Sequence, residues 1–102
     1  MKYHKLIRDY IPEIIAESGK VCITEVLSGP DYIVALDAKL EEELNEYRTD
    51  HSIEELADLL EVIHACAVAH GYTVEQLEDV RKQKAAKRGA FAKKLLLKEV
   101  SE

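Results

Sequence analysis

Apolar residues recur at helical spacing through most of this chain, and glycine or proline stands at the breaks. From residue 31 to 48, Ile33, Leu36, Leu40, Leu44 and Tyr47 keep three- to four-residue intervals, which predicts a helix with one apolar stripe. "RTDHS" then predicts a short turn. Ser52-Ile-Glu-Glu55 has the pattern of a capping box, and "VIHACAVA" extends the helix it opens to about residue 70, before Gly71. Thr73 is placed to cap a fourth helix, "VEQLEDVRKQKAAKR", with Gln76 at the partner position of its own box.

The remaining pieces are shorter. "RDYIPEIIAES" carries Pro12 in a first helical turn after Asp9, where a missing N–H costs nothing, and it stops at Gly19. "KVCITEVL" is β-branched and alternating, so residues 21–27 are expected to run extended, although one strand makes no sheet. Beyond Gly89, "AFAKKLLLKEV" fits an extended segment or a further helix. The expected fold is all-α: a small antiparallel bundle of about four helices forming one domain, 1–102, with short extended segments near 21–27 and 91–98.

At 102 residues the chain buries only about two thirds of the surface it exposes unfolded. The third helix is apolar almost all round and needs cover on several sides, which favours a homodimer or homotetramer. The composition, 47% apolar and 33% charged, is that of a globular domain, with no run of about 18 apolar residues to span a membrane. Lys5, Arg8 and Asp9 interrupt any apolar core of a signal peptide, so a cytoplasmic location is expected. Cys22 and Cys66 form no Cys-x-x-Cys pair and are expected as free, buried thiols. His64 and His70, on the most apolar helix, are expected to be structural, and His4 and His51 exposed.

Charge changes the picture. The net charge of −6 conceals ten acidic residues between Asp37 and Glu61, against only Lys39 and Arg48, and eight basic residues with no acidic one between Arg81 and Lys98. Like charges three or four residues apart destabilise a helix by roughly 0.2 to 0.5 kcal/mol per pair. "KLEEELNEY" therefore asks for either a solvated face or a cation.

Successive helical residues turn by about 100°. Relative to a stripe centred on Leu40, Glu43, Glu46 and Glu42 fall at about 60°, 120° and 160° on one side, and Glu41 about 100° to the other. The first three share an arc that starts at the core edge, where a carboxylate is partly desolvated and needs a partner. On the next helix Glu55 and Asp58 adjoin on one face. A short turn makes the two helices antiparallel neighbours, and counting outward from it sets Glu46 opposite Glu55 and Glu43 opposite Asp58. Glu55 has a competing structural use as the third residue of its capping box. Oxygen-only donors select hard ions, Mg²⁺ foremost and Mn²⁺ as an alternative.

"EELNE" followed by "ELAD" resembles the Glu-Glu-x-x-Glu, then Glu-x-x-Asp signature of the all-α nucleoside triphosphate pyrophosphohydrolases, the MazG-like superfamily. "HKLIRDYIPEII" at 4–15 and "KAAKRGAF" at 84–91 resemble the opening and the Arg-Gly-Gly-Phe segment of its small phosphoribosyl-ATP pyrophosphohydrolase-like branch. Ala90 stands where that segment has its second glycine. The resemblance implies Glu43, Glu46, Glu55 and Asp58 as metal ligands, with Glu42 as a neighbouring ligand or base. It also implies Mg²⁺ dependence, homo-oligomers, and cleavage of a nucleoside triphosphate between the α and β phosphorus atoms.

In such a reaction Glu42 or Glu46 would accept the proton of the attacking water. Lys84 and Arg88, with Lys5 and Arg8 as a second pair, would grip the outer phosphates. The expected role is removal of non-standard nucleotides; phosphoribosyl-ATP hydrolysis in histidine synthesis is the alternative within the family. Two rival classes remain: a non-enzymatic helical oligomerisation module, and a nucleic-acid binder using residues 81–98, which the net charge disfavours. No glycine-rich phosphate loop is present.

Overall fold

The computed structural model describes residues 4–101, so residues 1–3 and 102 of the expected single domain lie outside it. It is all-α: α1 Ile11–Glu17, α2 Gly29–Asp50, α3 Ile53–Ala69 and α4 Val74–Arg88, with no strand among the described residues.

α1 places Pro12 in its first turn, as expected, but its N-cap is Tyr10 rather than Asp9, and no side chain caps it. α2 begins at Gly29, with Pro30 in the first turn, and extends to Asp50, beyond the expected end at residue 48. The extension consumes most of "RTDHS": Thr49 Oγ1 donates to the Asn45 carbonyl at 3.0 Å, so the polar turn residues continue the helix. Only His51 and Ser52 connect α2 to α3. His51 adopts the left-handed conformation (φ +56°) that commonly ends helices, and its N–H bonds to the Tyr47 carbonyl at 2.7 Å. Its ring meets the Tyr47 ring edge-on at 5.0 Å.

At the other end of α3, Gly71 (φ +89°) reverses the chain and the Tyr72 N–H returns to the Ala67 carbonyl at 3.0 Å. The Thr73–Gln76 capping box that opens α4 is complete in both directions, at 3.0 and 2.8 Å.

α2 and α3 form a tightly packed antiparallel pair. α4 folds back against α3 alone, and α1 packs on no other helix. The seam of the hairpin is not centred on Leu40. Leu36 and Glu43, seven residues or two turns apart, are the two buried residues among those described, at 4% and 6% exposed. The molecule is correspondingly elongated: its radius of gyration is 18.0 Å, against about 13 Å for a compact chain of this length. Both thiols, expected buried, are free and only half-buried. His64 is half-buried, and His70, at the end of α3, is exposed like His4 and His51. Residues 91–98 form no further helix: a turn at Phe91, closed by the Lys94 N–H on its carbonyl at 3.1 Å, leads into a segment with no strand pairing among the described residues. Among the described residues, no helix is long and apolar enough to cross a membrane.

Candidate metal centre

The two-residue connection fixes which turns of α2 and α3 face each other, and two overlapping groups of carboxylates result. Glu42, Glu43 and Glu46 offer oxygens within 4.8 Å of one another, and so do Glu43, Glu55 and Asp58. Glu43 is common to both. It stands where the level count put it, near Asp58, and it also meets Glu55, which the count had set opposite Glu46. Glu46 joins the group on its own helix and is exposed.

Burial makes this arrangement costly. Glu43 is raised above the ordinary glutamate value, first because burial disfavours its charge and then because Glu46 adds like charge, with Lys39 opposing. Lys39 Nζ lies 3.2 Å from Glu43 Oε1 and 3.3 Å from Glu42 Oε2. Glu43 Oε2 has no partner. Neither has Glu55 Oε2 among the described residues, and both atoms are buried, although a side-chain contact with Glu46 also helps to raise Glu43.

The second orphan bears on the capping role of Glu55. Ser52 Oγ accepts from the Glu55 backbone N–H at 3.2 Å, so the main chain takes its part in the cap. The side chain does not complete the box, in contrast to Gln76. It is directed into the carboxylate group instead.

Cations line one side. Lys5 lies 3.3 Å from Glu42 Oε1, Arg8 Nη2 donates to Asp58 Oδ1 at 2.6 Å, and Arg8 Nη1 lies 3.9 Å from Glu61. The segment before α1 is thereby strapped across the hairpin. With both oxygens engaged, Glu42 behaves unlike Glu43: burial pushes its pKa up, but Lys5 and Lys39 together outweigh that and hold it below the ordinary value.

Lys84 and Arg88, expected to grip phosphates, are not brought to the carboxylates within one copy. They lie with Lys87, Val80 and Gln83 around a hollow on α4, which touches α3 but not α2. No ion pair joins either to an acidic residue among those described. The residue that sequence reasoning missed is Lys39. Its signal was present, because Glu42 and Glu43 follow it at three and four residues. Cys66 lines an apolar hollow between α3 and α4 with Ile63, His70 and Leu77, and burial, helped by Asp37, pushes its thiol up.

No family model and no solved structure matches the chain. The chain is similar to a protein of Mycolicibacterium smegmatis (strain ATCC 700084 / mc(2)155) described only as uncharacterized. The two are 50% identical over 44 residues, 43% of this chain and 45% of that protein. The matched region is thus less than half of the relative's length, and it is similar to this chain in sequence without carrying a named activity.

Proposed function

We propose that the chain is a divalent-cation-dependent nucleoside triphosphate pyrophosphohydrolase. It would cleave the α–β phosphoanhydride of non-standard nucleotides to a nucleoside monophosphate and pyrophosphate. The observation that carries this reading is the pair of buried, unpartnered carboxylate oxygens, Glu43 Oε2 and Glu55 Oε2, on facing helices. Lys39 reaches Glu43 only through Oε1, no cation reaches Glu55 among the described residues, and an oxygen-only donor set fits Mg²⁺. Glu43, Glu55 and Asp58 would hold the ion, with Glu46 beside them.

When bound, Mg²⁺ supplies neutralisation of phosphate oxygens and acidification of a water. Of the two candidate bases, Glu46 is favoured: Glu42 has both oxygens on lysines and a lowered pKa, which makes it the poorer proton acceptor. Lys5 and Arg8 already border the carboxylates and are the nearer candidates for the outer phosphates.

The test is pyrophosphate release from a panel of nucleoside triphosphates with Mg²⁺, run beside Asp58→Asn, Glu43→Gln, Glu46→Gln and Glu42→Gln. Loss of a ligand is expected to cost at least about tenfold in activity, by comparison with the 10- to 100-fold typical of supporting residues. Glu46→Gln should fall further than Glu42→Gln. Parental rates in both Asp58→Asn and Glu43→Gln would exclude the site.

A second reading, a helical oligomerisation module, is favoured by one observation: Leu36 is the one buried apolar residue among those described, while Ile53, Leu56, Leu60 and Val68 of α3 are exposed. Melting with and without Mg²⁺ separates the two, because an ion held only by the folded state must raise the melting temperature.

A further inference from the structure

Two segments of this chain run outside the helices, carry exposed apolar residues and have no strand partner among the described residues. Residues 21–27 carry Val21, Ile23 and Val26, and residues 95–100 carry Leu95–Leu97 and Val100. These apolar side chains are 76% to 97% exposed. No backbone hydrogen bond involves either segment among the described residues, so each presents a row of open donors and acceptors. An isolated apolar extended segment gains nothing in water. It gains when a second strand satisfies its main chain and covers its side chains.

The two segments leave the helices at opposite ends. Residues 21–27 lead into the start of α2, beside the end of α3; α4 then runs back along α3, and 95–100 follow its far end. α4 alone, with 15 residues, separates the two ends by about 22 Å. The longest axis of the molecule is 63 Å, whereas α2, its longest helix, accounts for only about 33 Å. A twofold axis that lays one hairpin antiparallel to another removes the separation, because it sets the end of α4 in one copy beside the start of α2 in the other.

We propose that residues 21–27 of one copy and 95–100 of a second copy pair as antiparallel strands, reciprocally, so that two such ribbons join a dimer. The sequences fit in one register: Ile23 opposite Val100, Val26 opposite Leu97, Leu27 opposite Leu96, and Glu25 opposite Lys98. That alignment forms three apolar pairs, leaves Thr24 opposite Glu99, and sets the acidic side chain of one segment against a basic side chain of the other. The occupant is a second copy of this chain, and the pairing stands whether or not the carboxylates bind a metal.

Hydrogen exchange and sedimentation equilibrium on the full chain test it. Alternate amides in both segments, those facing the partner strand, are expected to exchange slowly, and only at concentrations where the dimer forms. Glu25→Lys and Lys98→Glu are each expected to weaken dimerisation by about two- to thirtyfold, since each affects two ribbons per dimer. An equimolar mixture of the two variants should regain the parental affinity, because every ribbon in the mixed dimer again joins opposite charges. Free-peptide exchange rates in either segment, protection in the monomer, charge variants with parental affinity, or a mixture as weak as the single variants would each overturn the exchange.

Discussion

Lys39 Nζ stands between Glu42 and Glu43, at 3.3 and 3.2 Å, and is the one cation in contact with the buried carboxylate of the α2–α3 seam among the described residues. Burial opposes its charge, but the hydrogen bonds to Glu43 and Glu42 more than offset that and raise its pKa. Its order on the helix, lysine before glutamate by four residues, is the weaker one for an isolated helix. Its value therefore comes from compensating a desolvated acid. Lys39→Met should destabilise the metal-free chain by about 1 to 3 kcal/mol, the range for leaving a buried polar group without its partner. Mg²⁺ should restore part of the loss, and urea unfolding with EDTA or with Mg²⁺ measures both.

The pH dependence of the metal-free protein has a defined sign at Glu43. The folded state holds the proton of this group more tightly than the unfolded chain does. Its contribution to stability is present below the ordinary value of 4.5 and is lost as pH rises through the raised value. Glu42, with a lowered pKa, contributes in the opposite sense: its stabilisation is present above the ordinary value and lost as pH falls. Glu43→Gln should remove the first effect and leave the second. In EDTA its unfolding midpoint should exceed the parent's toward about pH 7 and gain nothing from added Mg²⁺.

Arg8 bridges Asp58 and Glu61 from outside the hairpin, and all three side chains are substantially exposed. Such pairs contribute less than about 1 kcal/mol. Arg8→Ala is therefore expected to leave the melting temperature nearly unchanged. It should also tighten Mg²⁺ binding in the absence of nucleotide, because Asp58 loses a competing cation, and raise KM. Calorimetric titration of Mg²⁺ and steady-state kinetics check the two halves.

Thr73 closes both halves of the capping box of α4, which has no buried residue of its own and packs only on α3. Thr73→Ala should cost about 1 kcal/mol and increase hydrogen exchange in the first turn of α4.

The helices were legible because their signals are local. The spacing from Ile33 to Tyr47, the Thr73–Gln76 pair and Gly71 each act within one or two turns, and α2, α3 and α4 lie close to where those signals set them. The convergence of Glu43 with Asp58 was legible too, since a short antiparallel connection converts sequence distance into height. What escaped depends on long-range burial. Taking Leu40 as the centre of the stripe treated Glu43 as an edge residue, whereas the seam turns on Leu36 and Glu43 and buries the acid. The same error hid Lys39, which matters only beside a desolvated carboxylate. The half-used cap of Ser52 was not decidable from the motif, because a glutamate at that position fits either role until its oxygens are located.

The connection between α2 and α3 sets the angular phase of the whole centre. With His51 and Ser52 alone between the helices, the chain has no slack to absorb a change in length. One residue added there would rotate α3 by about 100° about its own axis if its near end stayed docked. Glu55 and Asp58 would then sweep away from Glu43 while every helix stayed intact. The facing acids are thus indexed by a spacer of two residues, which acts as the gauge for the distance between them.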